Sequence, residues 1–488
     1  MRSILFQLLI AGCAFGQAVD VDWARTYGGN RDDYCSDMAR TSDGGYVLVG
    51  SSTSFNGADW LHPDFWIVRT DQNGDSLWSA TYGGPSVESC RAIIGLEDGG
   101  FLLGGSTDSF VSDDRYSNCW IVRIDSEGDS LWSRSIGAST ISEVCRFFHR
   151  VDDNELLLVG DLVHDVFSSS HDVMIVGINS DGDSLWSQFY GGPQDERCVA
   201  SLVVNDELII AGSTNSYGAG YRDFWLLKTT LEGDSLWSRT YGGPSDDECT
   251  NIMQTSDGGF LLVGYTQSWD SRGRDIWLLK TDAAGDSLWS RIYGGITYDV
   301  GVDILEVPNS GFIIAAVSSV TSTGDYDSWI IKTNMSGDSL WTIILGRDEE
   351  DKLLSINWLD DGSYLLCGTS SSYGAGSVDF WLVKTTPDTA IDATTPPRLI
   401  IPSDFKLAAY PNPFNPATTI SFSLPATGPV SVVAYDLMGR VVRTIMNQNL
   451  SAGSHTCTFA ADDLPSGAYF LKLQHDQREA ALKVVLVR

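Results

Sequence analysis

The sequence is short of positive charge: 31 Lys+Arg stand against 64 Asp+Glu, for a formal net charge of −33 and a pI near 4.3. A surface of that sign repels phosphate backbones and anionic headgroups, which excludes nucleic-acid binding and adsorption to anionic lipid. Long apolar runs are missing after the first residues. None approaches the ~18 apolar residues that a membrane-spanning helix requires. Helical periodicity is missing as well. Close cysteine pairs of the CxxC kind are absent among the nine cysteines, which removes the common zinc arrangement. With 488 residues, the chain is long enough for more than one domain and a sizeable core.

The N-terminus reads as an export signal. Arg2 precedes a short apolar core over residues 4–15, and Ala14-Phe15-Gly16 is a small-x-small cleavage site before Gln17. This predicts a signal peptide over 1–16. Ile10-Ala11-Gly12-Cys13 also spells a lipoprotein box, which would lipidate Cys13; the shortness of the apolar run before it favours ordinary cleavage. An exported chain invites a disulfide framework. The spacing argues otherwise. Cys35, Cys90, Cys198 and Cys249 each follow the last glycine of a YGG by six residues, Cys145 sits one insertion away, and Gly301 and Leu353 occupy the remaining equivalents. A slot filled by small, mostly apolar residues is a packing position.

What is abundant is repetition. GDSLW begins at Gly74, Gly128, Gly182, Gly233, Gly285 and Gly337, at spacings of 54, 54, 51, 52 and 52 residues. Residues 238–289 show the unit: four strand-like segments separated by the turns SDGG and DAAGD and by one variable loop. A four-stranded repeat near 50 residues is a propeller period. The last-strand anchors are Trp23, Trp78, Trp132, Trp186, Trp237, Trp289 and Trp341. The third-strand anchors are Trp66, Trp120, Met174, Trp225, Trp277, Trp329 and Trp381. Both series count seven. The chain starts on a lone fourth strand, VDWARTYGG, and its last repeat stops after DFWLVKT. The expected fold is therefore all-β: a seven-bladed propeller over 17–386, its N-terminal strand completing the last blade and removing a sheet edge. A Pro/Thr-rich linker follows over 387–405, then a small β-sandwich over 406–488.

That last segment carries specific motifs: YPNPFNPATTISFSLP at 410–425, VVAYDLMGRVVRTI at 432–445, SAGSHTCTF at 451–459, LPSGAYFLKL at 464–473 and a terminal KVVLVR. It resembles the C-terminal sorting domain of type IX secretion substrates, with Arg488 where many members end in lysine. The resemblance implies an Ig-like domain read by an outer-membrane translocon, with Lys483, Val484, Val485, Leu486, Val487 and Arg488 as the terminal signal. It also implies delivery through the periplasm to the outer surface or the medium, commonly with removal of the domain. The repeats themselves resemble those of uncharacterised secreted bacterial proteins, which implies a fold and no activity.

Gly-Asp-Ser-Leu is also the signature of a family of secreted esterases in which the serine is the nucleophile. Six equivalent serines leave none distinguished, and no segment here would build that family's α/β fold. The DxxH strings at Asp59–His62 and Asp161–His164 do not lie near the C-terminus, where the base would be expected. The motif reads instead as a turn followed by a packing Trp. Alternating oxygens at Asp71-x-Asn73-x-Asp75, Asp125-x-Glu127-x-Asp129 and Asn179-x-Asp181-x-Asp183 suit calcium at a subset of turns; Asp282-x-Ala284-x-Asp286 and Thr230-x-Glu232-x-Asp234 suit it poorly. No other cofactor is expected. His149, His164 and His171 crowd the third repeat, which has Met174 in place of Trp, and drift of that repeat explains them better than a metal cluster.

The variable second-to-third loops share one face with the fourth-to-first loops. They carry Phe55, Trp60, Tyr116, Phe167, Tyr217, Tyr221, Trp269, Tyr326 and Tyr373 among polar residues. Variable loops on a rigid scaffold, with exposed aromatic rings, suit recognition of a protein or glycan by a monomeric, non-enzymatic binder. The alternative is a propeller hydrolase or lyase acting on polysaccharide, with acids and histidines gathered from residues 59–62 and 161–171.

Overall fold

The computed structural model describes residues 19–55, 62–111, 116–137, 141–152, 154–165, 170–269, 273–295, 298–319, 326–347, 349–388, 407–410, 416–424, 428–435, 440–450, 453–461, 464–475 and 478–486. The signal-peptide residues, Cys13, Gly16 and Gln17 lie outside them. Every element among them is a β-strand, and no helix is long and apolar enough to cross a membrane. The chain divides into two units, 1–393 and 394–488.

In the first unit the strands form antiparallel four-stranded sheets in chain order. The earliest contains Asp33–Arg40, Tyr46–Ser52, Asp64–Thr70 and Ser76–Tyr82, and four more follow the same order through Ser287–Tyr293. An eight-stranded assembly follows, in which two such sets are joined by one parallel bridge, Asp327 to Asp351. Its outermost strand is Val21–Tyr27, which pairs antiparallel with Asp379–Thr385, Trp23 opposite Lys384 and Tyr27 opposite Phe380. The first strand of the unit thus hydrogen-bonds to its last. These sheets are of the propeller-blade kind.

Burial within each sheet explains its composition. The second strand Phe260–Thr266 (FLLVGYT) is buried along its whole length, because neighbouring sheets cover both of its faces. The fourth strand Ser287–Tyr293 (SLWSRIY) has one face toward solvent and alternates. Apolar clusters join consecutive sheets: Val49, Phe65 and Ile67 pack on Cys90, Leu103 and Trp120. The series ends where Tyr46, Leu48 and Trp66 of the earliest sheet meet Leu365, Phe380 and Leu382 of the last. Apolar packing therefore runs from sheet to sheet and returns from the last to the earliest.

The cysteine slot has a backbone meaning that spacing does not reveal. The register between first and second strands slips immediately after Cys35, Cys90, Cys145, Cys198 and Cys249, and also after Gly301 and Leu353. Each is a β-bulge that bends the innermost strand. The side chain at that point is pressed between sheets, so only small or apolar groups fit. The five cysteines are buried and free, and burial pushes the Cys90, Cys145, Cys198 and Cys249 thiols up.

In the second unit, Leu407–Tyr410, Ala417–Leu424 and Gly453–Ala460 form one sheet. Val441–Leu450, Gly428–Tyr435, Gly467–His475 and Arg478–Leu486 form another. Both contribute to one core, with Ile420, Phe422 and Phe459 from one side and Val432, Leu471 and Val484 from the other.

Candidate functional site

The GDS turn is the densest repeated chemistry in the molecule. In each copy glycine takes positive φ (Gly74 +75°, Gly285 +81°), and the first residue of the turn caps it: Asp71 Oδ1 accepts from Asn73 N and Asp75 N at 2.8 and 2.9 Å. Asn179 and Asn334 cap their turns in the same way, so an acceptor oxygen suffices there. The turn also reaches its neighbour. A Cβ on Gly74 would lie 2.8 Å from the Trp23 ring, one on Gly128 2.8 Å from Trp78, and one on Gly285 3.0 Å from Trp237. The Gly74 and Gly128 carbonyls accept from Tyr27 and Tyr82 hydroxyls at 2.5 Å, and Gly233, Gly285 and Gly337 are held likewise by Tyr190, Tyr241 and Tyr293. Arg25, Arg239 and Arg291 stack on Trp23, Trp237 and Trp289 and reach Asp75, Asp286 and Asp338. The W-x-R-x-Y run of one sheet therefore grips the GDS turn of the next.

Between the N-terminal strand and the earliest sheet lies a cavity of about 520 Å³. Arg25, Tyr27 and Ser76 line its outer part, and Phe55, Trp66, Arg347, Tyr373, Asp379 and Trp381 its loop end. Ser76 is exposed on its wall, and among the described residues no histidine lines it. The cavity offers aromatic faces and two guanidinium groups, which suits a ligand with a flat apolar face and an anionic or hydroxyl-rich edge.

Of the loop rings chosen from sequence, the cavity brings two together, Phe55 and Tyr373. Phe55 leans on Trp66 with centroids 4.9 Å apart, and Tyr373 stacks on Trp381 at 5.8 Å under Arg347. Trp269 covers Trp277 at 4.7 Å in the same manner. Phe110, passed over by the sequence reading, covers Trp120 at 5.3 Å. The signal was available: Ser54-Phe55, Ser109-Phe110, Ser216-Tyr217, Ser268-Trp269 and Ser372-Tyr373 are one repeated Ser-aromatic pair. Phe55, Phe110, Trp269 and Tyr373 thus cap the third-strand Trp of their own sheets. Tyr217 donates its hydroxyl to the Gly191 carbonyl at 3.0 Å, Tyr326 lies under Lys352, Tyr116 is half-buried and Tyr221 is 74% exposed. Trp60 and Phe167 lie outside the described residues.

A charged chain crosses the loop ends of the third to fifth sheets. His171 Nδ1 is 2.6 Å from Asp195 Oδ1, and Asp195 Oδ2 takes Arg197 at 3.0 Å and Arg222 at 3.4 Å. Arg222 continues to Glu248 at 2.8 Å, which accepts the Tyr265 hydroxyl at 2.9 Å. Its members come from different repeats, so spacing gave no hint of it. His149 is separate, 2.7 Å from Ser201 Oγ, with burial pushing its pKa down to about 4. Among the described residues no three His, Cys, Asp or Glu side chains converge as a metal site.

Residues 408–487 match the family model described as a secretion system C-terminal sorting domain. That segment is a type IX sorting domain. The sorting domain marks the chain for handling by the type IX machinery and for the outer surface or the medium. Its last strand, Arg478–Leu486, buries Val484 and Leu486 in the domain core, while Val487 and Arg488 lie outside the described residues. No curated protein matches the sequence. Solved structures similar to the chain include a Bacteroides caccae protein of unknown function (13% identity, 52% of this chain and 81% of that one, TM-score 0.35). The β-propeller domain of the Trilobed protease from Pyrococcus furiosus is another (12%, 74% and 98%, TM-score 0.40). A third is an α-L-arabinofuranosidase from Fusarium graminearum (10%, 60% and 91%, TM-score 0.40).

Proposed function

We propose that the protein ahead of its sorting domain is a seven-bladed β-propeller, closed by Val21–Tyr27 and followed by an Ig-like sorting fold. It acts as a monomeric, non-enzymatic binder of a surface or extracellular protein or glycan. The observation that carries the reading is the cavity at the ring closure, where Phe55, Trp66, Tyr373 and Trp381 stand beside Arg25 and Arg347 with no imidazole among them. Aromatic faces stack on sugar rings or apolar side chains, and the arginines take carboxylate, sulfate or phosphate groups bidentately. The test is a glycan and peptide array probed with the full exported chain and with a Phe55→Ala/Tyr373→Ala variant. Ligands bound by the wild type and lost by the variant support the reading; an unchanged array profile removes it.

A hydrolase or lyase is the second reading, favoured by the His171–Asp195 contact, which could orient a general base. Turnover of a polysaccharide panel that disappears in His171→Ala would promote it.

A further inference from the structure

Seven of the nine cysteines lie in the first unit, and five of them fill the bulged slot of a first strand. The slot residue packs with the second strand of the preceding sheet: Cys90 with Val49, Cys198 with Val159, Cys249 with Ala211 and Leu353 with Ala315. At the ring closure the same packing joins Cys35, in Asp33–Arg40, to Cys367, in Tyr364–Ser370. Where the other sheets present Val or Ala, the last sheet presents a second thiol.

The other cysteine outside the slots behaves in the same way. Cys119 takes the place that Phe65, Phe224 and Phe380 hold in other third strands. In its sheet the second-strand residue facing the slot is Gly104, where a Cβ would lie 2.6 Å from Cys145 Sγ. A smaller side chain and a missing one thus let Cys119 meet Cys145, in Ser142–Arg150 of the following sheet. Each cysteine outside the slot series therefore faces a slot cysteine across a sheet junction. Both meetings are thiol-to-thiol hydrogen bonds. All four cysteines are free and at most 3% exposed.

We propose that these two pairs close to disulfides during export, Cys35–Cys367 locking the earliest sheet to the last and Cys119–Cys145 locking the second sheet to the third. The oxidant is a protein thiol–disulfide oxidant of the compartment the chain crosses, the class that keeps a bacterial periplasm oxidising. One protein thiolate attacks a sulfur of the oxidant's disulfide and expels the other sulfur as a thiolate. The second protein thiolate then attacks the mixed disulfide and expels the oxidant. Two electrons pass to the oxidant, which leaves as a dithiol, and the two thiol protons go to water. Burial and the Cys119 contact hold Cys145 well above its ordinary pKa, and the Cys35 contact and burial do the same for Cys367. The folded junctions therefore supply almost no thiolate, and closure takes place while the sheets are still coming together. Cys35–Cys367 spans nearly the whole first unit, so it removes the most freedom from the unfolded chain. It does so at the junction where the earliest sheet meets the last.

The test is peptide mass spectrometry of the exported full-length protein, denatured and alkylated with iodoacetamide before and after reduction. Before reduction, Cys35–Cys367 and Cys119–Cys145 cross-linked peptides are expected, with Cys90, Cys198 and Cys249 alkylated. After reduction all seven carry the alkyl group. Reductant is expected to lower the Tm of the wild type and to leave that of the Cys35→Ala/Cys119→Ala protein unchanged. Alkylation of either pair before reduction to the extent seen at Cys90 overturns the proposal, whether or not the variant folds. Cross-links joining these four cysteines in any other pairing overturn it too.

Discussion

The Tyr27 hydroxyl donates to the Gly74 carbonyl at 2.5 Å, tying the N-terminal strand to a turn of the next sheet 47 residues on. The bond is buried, and burial holds the Tyr27 phenol well above its ordinary pKa, so it remains a donor at every physiological pH. Replacing Tyr27 by Phe leaves the ring in place and strands the carbonyl. The expected cost is about 1–3 kcal/mol, the penalty for an unsatisfied buried acceptor. Denaturant unfolding of Tyr27→Phe beside wild type measures it, with the midpoint lowered and the slope unchanged.

Gly285 tests the other half of the grip. At φ +81°, with Trp237 ring atoms 3.0 Å from where a Cβ would sit, alanine meets both backbone strain and a ring that must give way. Gly285→Ala is expected to destabilise by roughly 1–2 kcal/mol from the left-handed backbone alone. Gly258→Ala, at φ +84° with nothing near its Cβ, reports the strain without the contact. Comparing the two unfolding midpoints isolates the Trp237 contribution.

Ring closure depends on the first described strand. Removing residues 17–27 uncovers the edge of Asp379–Thr385, a strand buried along most of its length. Light scattering on the truncated protein is expected to show self-association absent from the wild type, because an open, apolar strand edge templates pairing.

His149 gives the pH dependence. Its folded pKa lies near 4, below the ordinary 6.5, so the unfolded chain binds the extra proton first as the solution is acidified. The folded state therefore keeps its full stability above about pH 6.5 and loses this contribution as pH falls toward 4. By linkage the loss is at most ~3 kcal/mol, reduced by partial solvent access. His149→Gln should flatten that interval of the stability–pH curve.

Much of this architecture was legible because repetition averages out local ambiguity. Seven aligned tryptophans located the strands, and the lone VDWARTY segment implied pairing with the last repeat, as Trp23 opposite Lys384 shows. The bulge after each cysteine slot was illegible because it shifts the alternation by one residue inside a strand only eight or nine residues long, too short for the break to stand out. The loop rings were read only as exposed binding groups because exposure is a tertiary property. Phe55, Trp269 and Tyr373 lie on Trp66, Trp277 and Trp381 of their own sheets, a partner that sequence distance conceals. The Asp195–Arg222–Glu248 chain joins residues from successive repeats, which a single-repeat alignment cannot bring together.

The GDS turn is held between sheets by Tyr and Trp of its neighbour, which is a structural role for its serines' motif. Ser76 is the sharpest case, being exposed and on the wall of the cavity. The direct measurement is exposure of the intact protein to a fluorophosphonate, followed by mass spectrometry of the peptides. No adduct is predicted at Ser76, Ser130, Ser184, Ser235, Ser287 or Ser339. A stoichiometric adduct on any one of them would contradict the account.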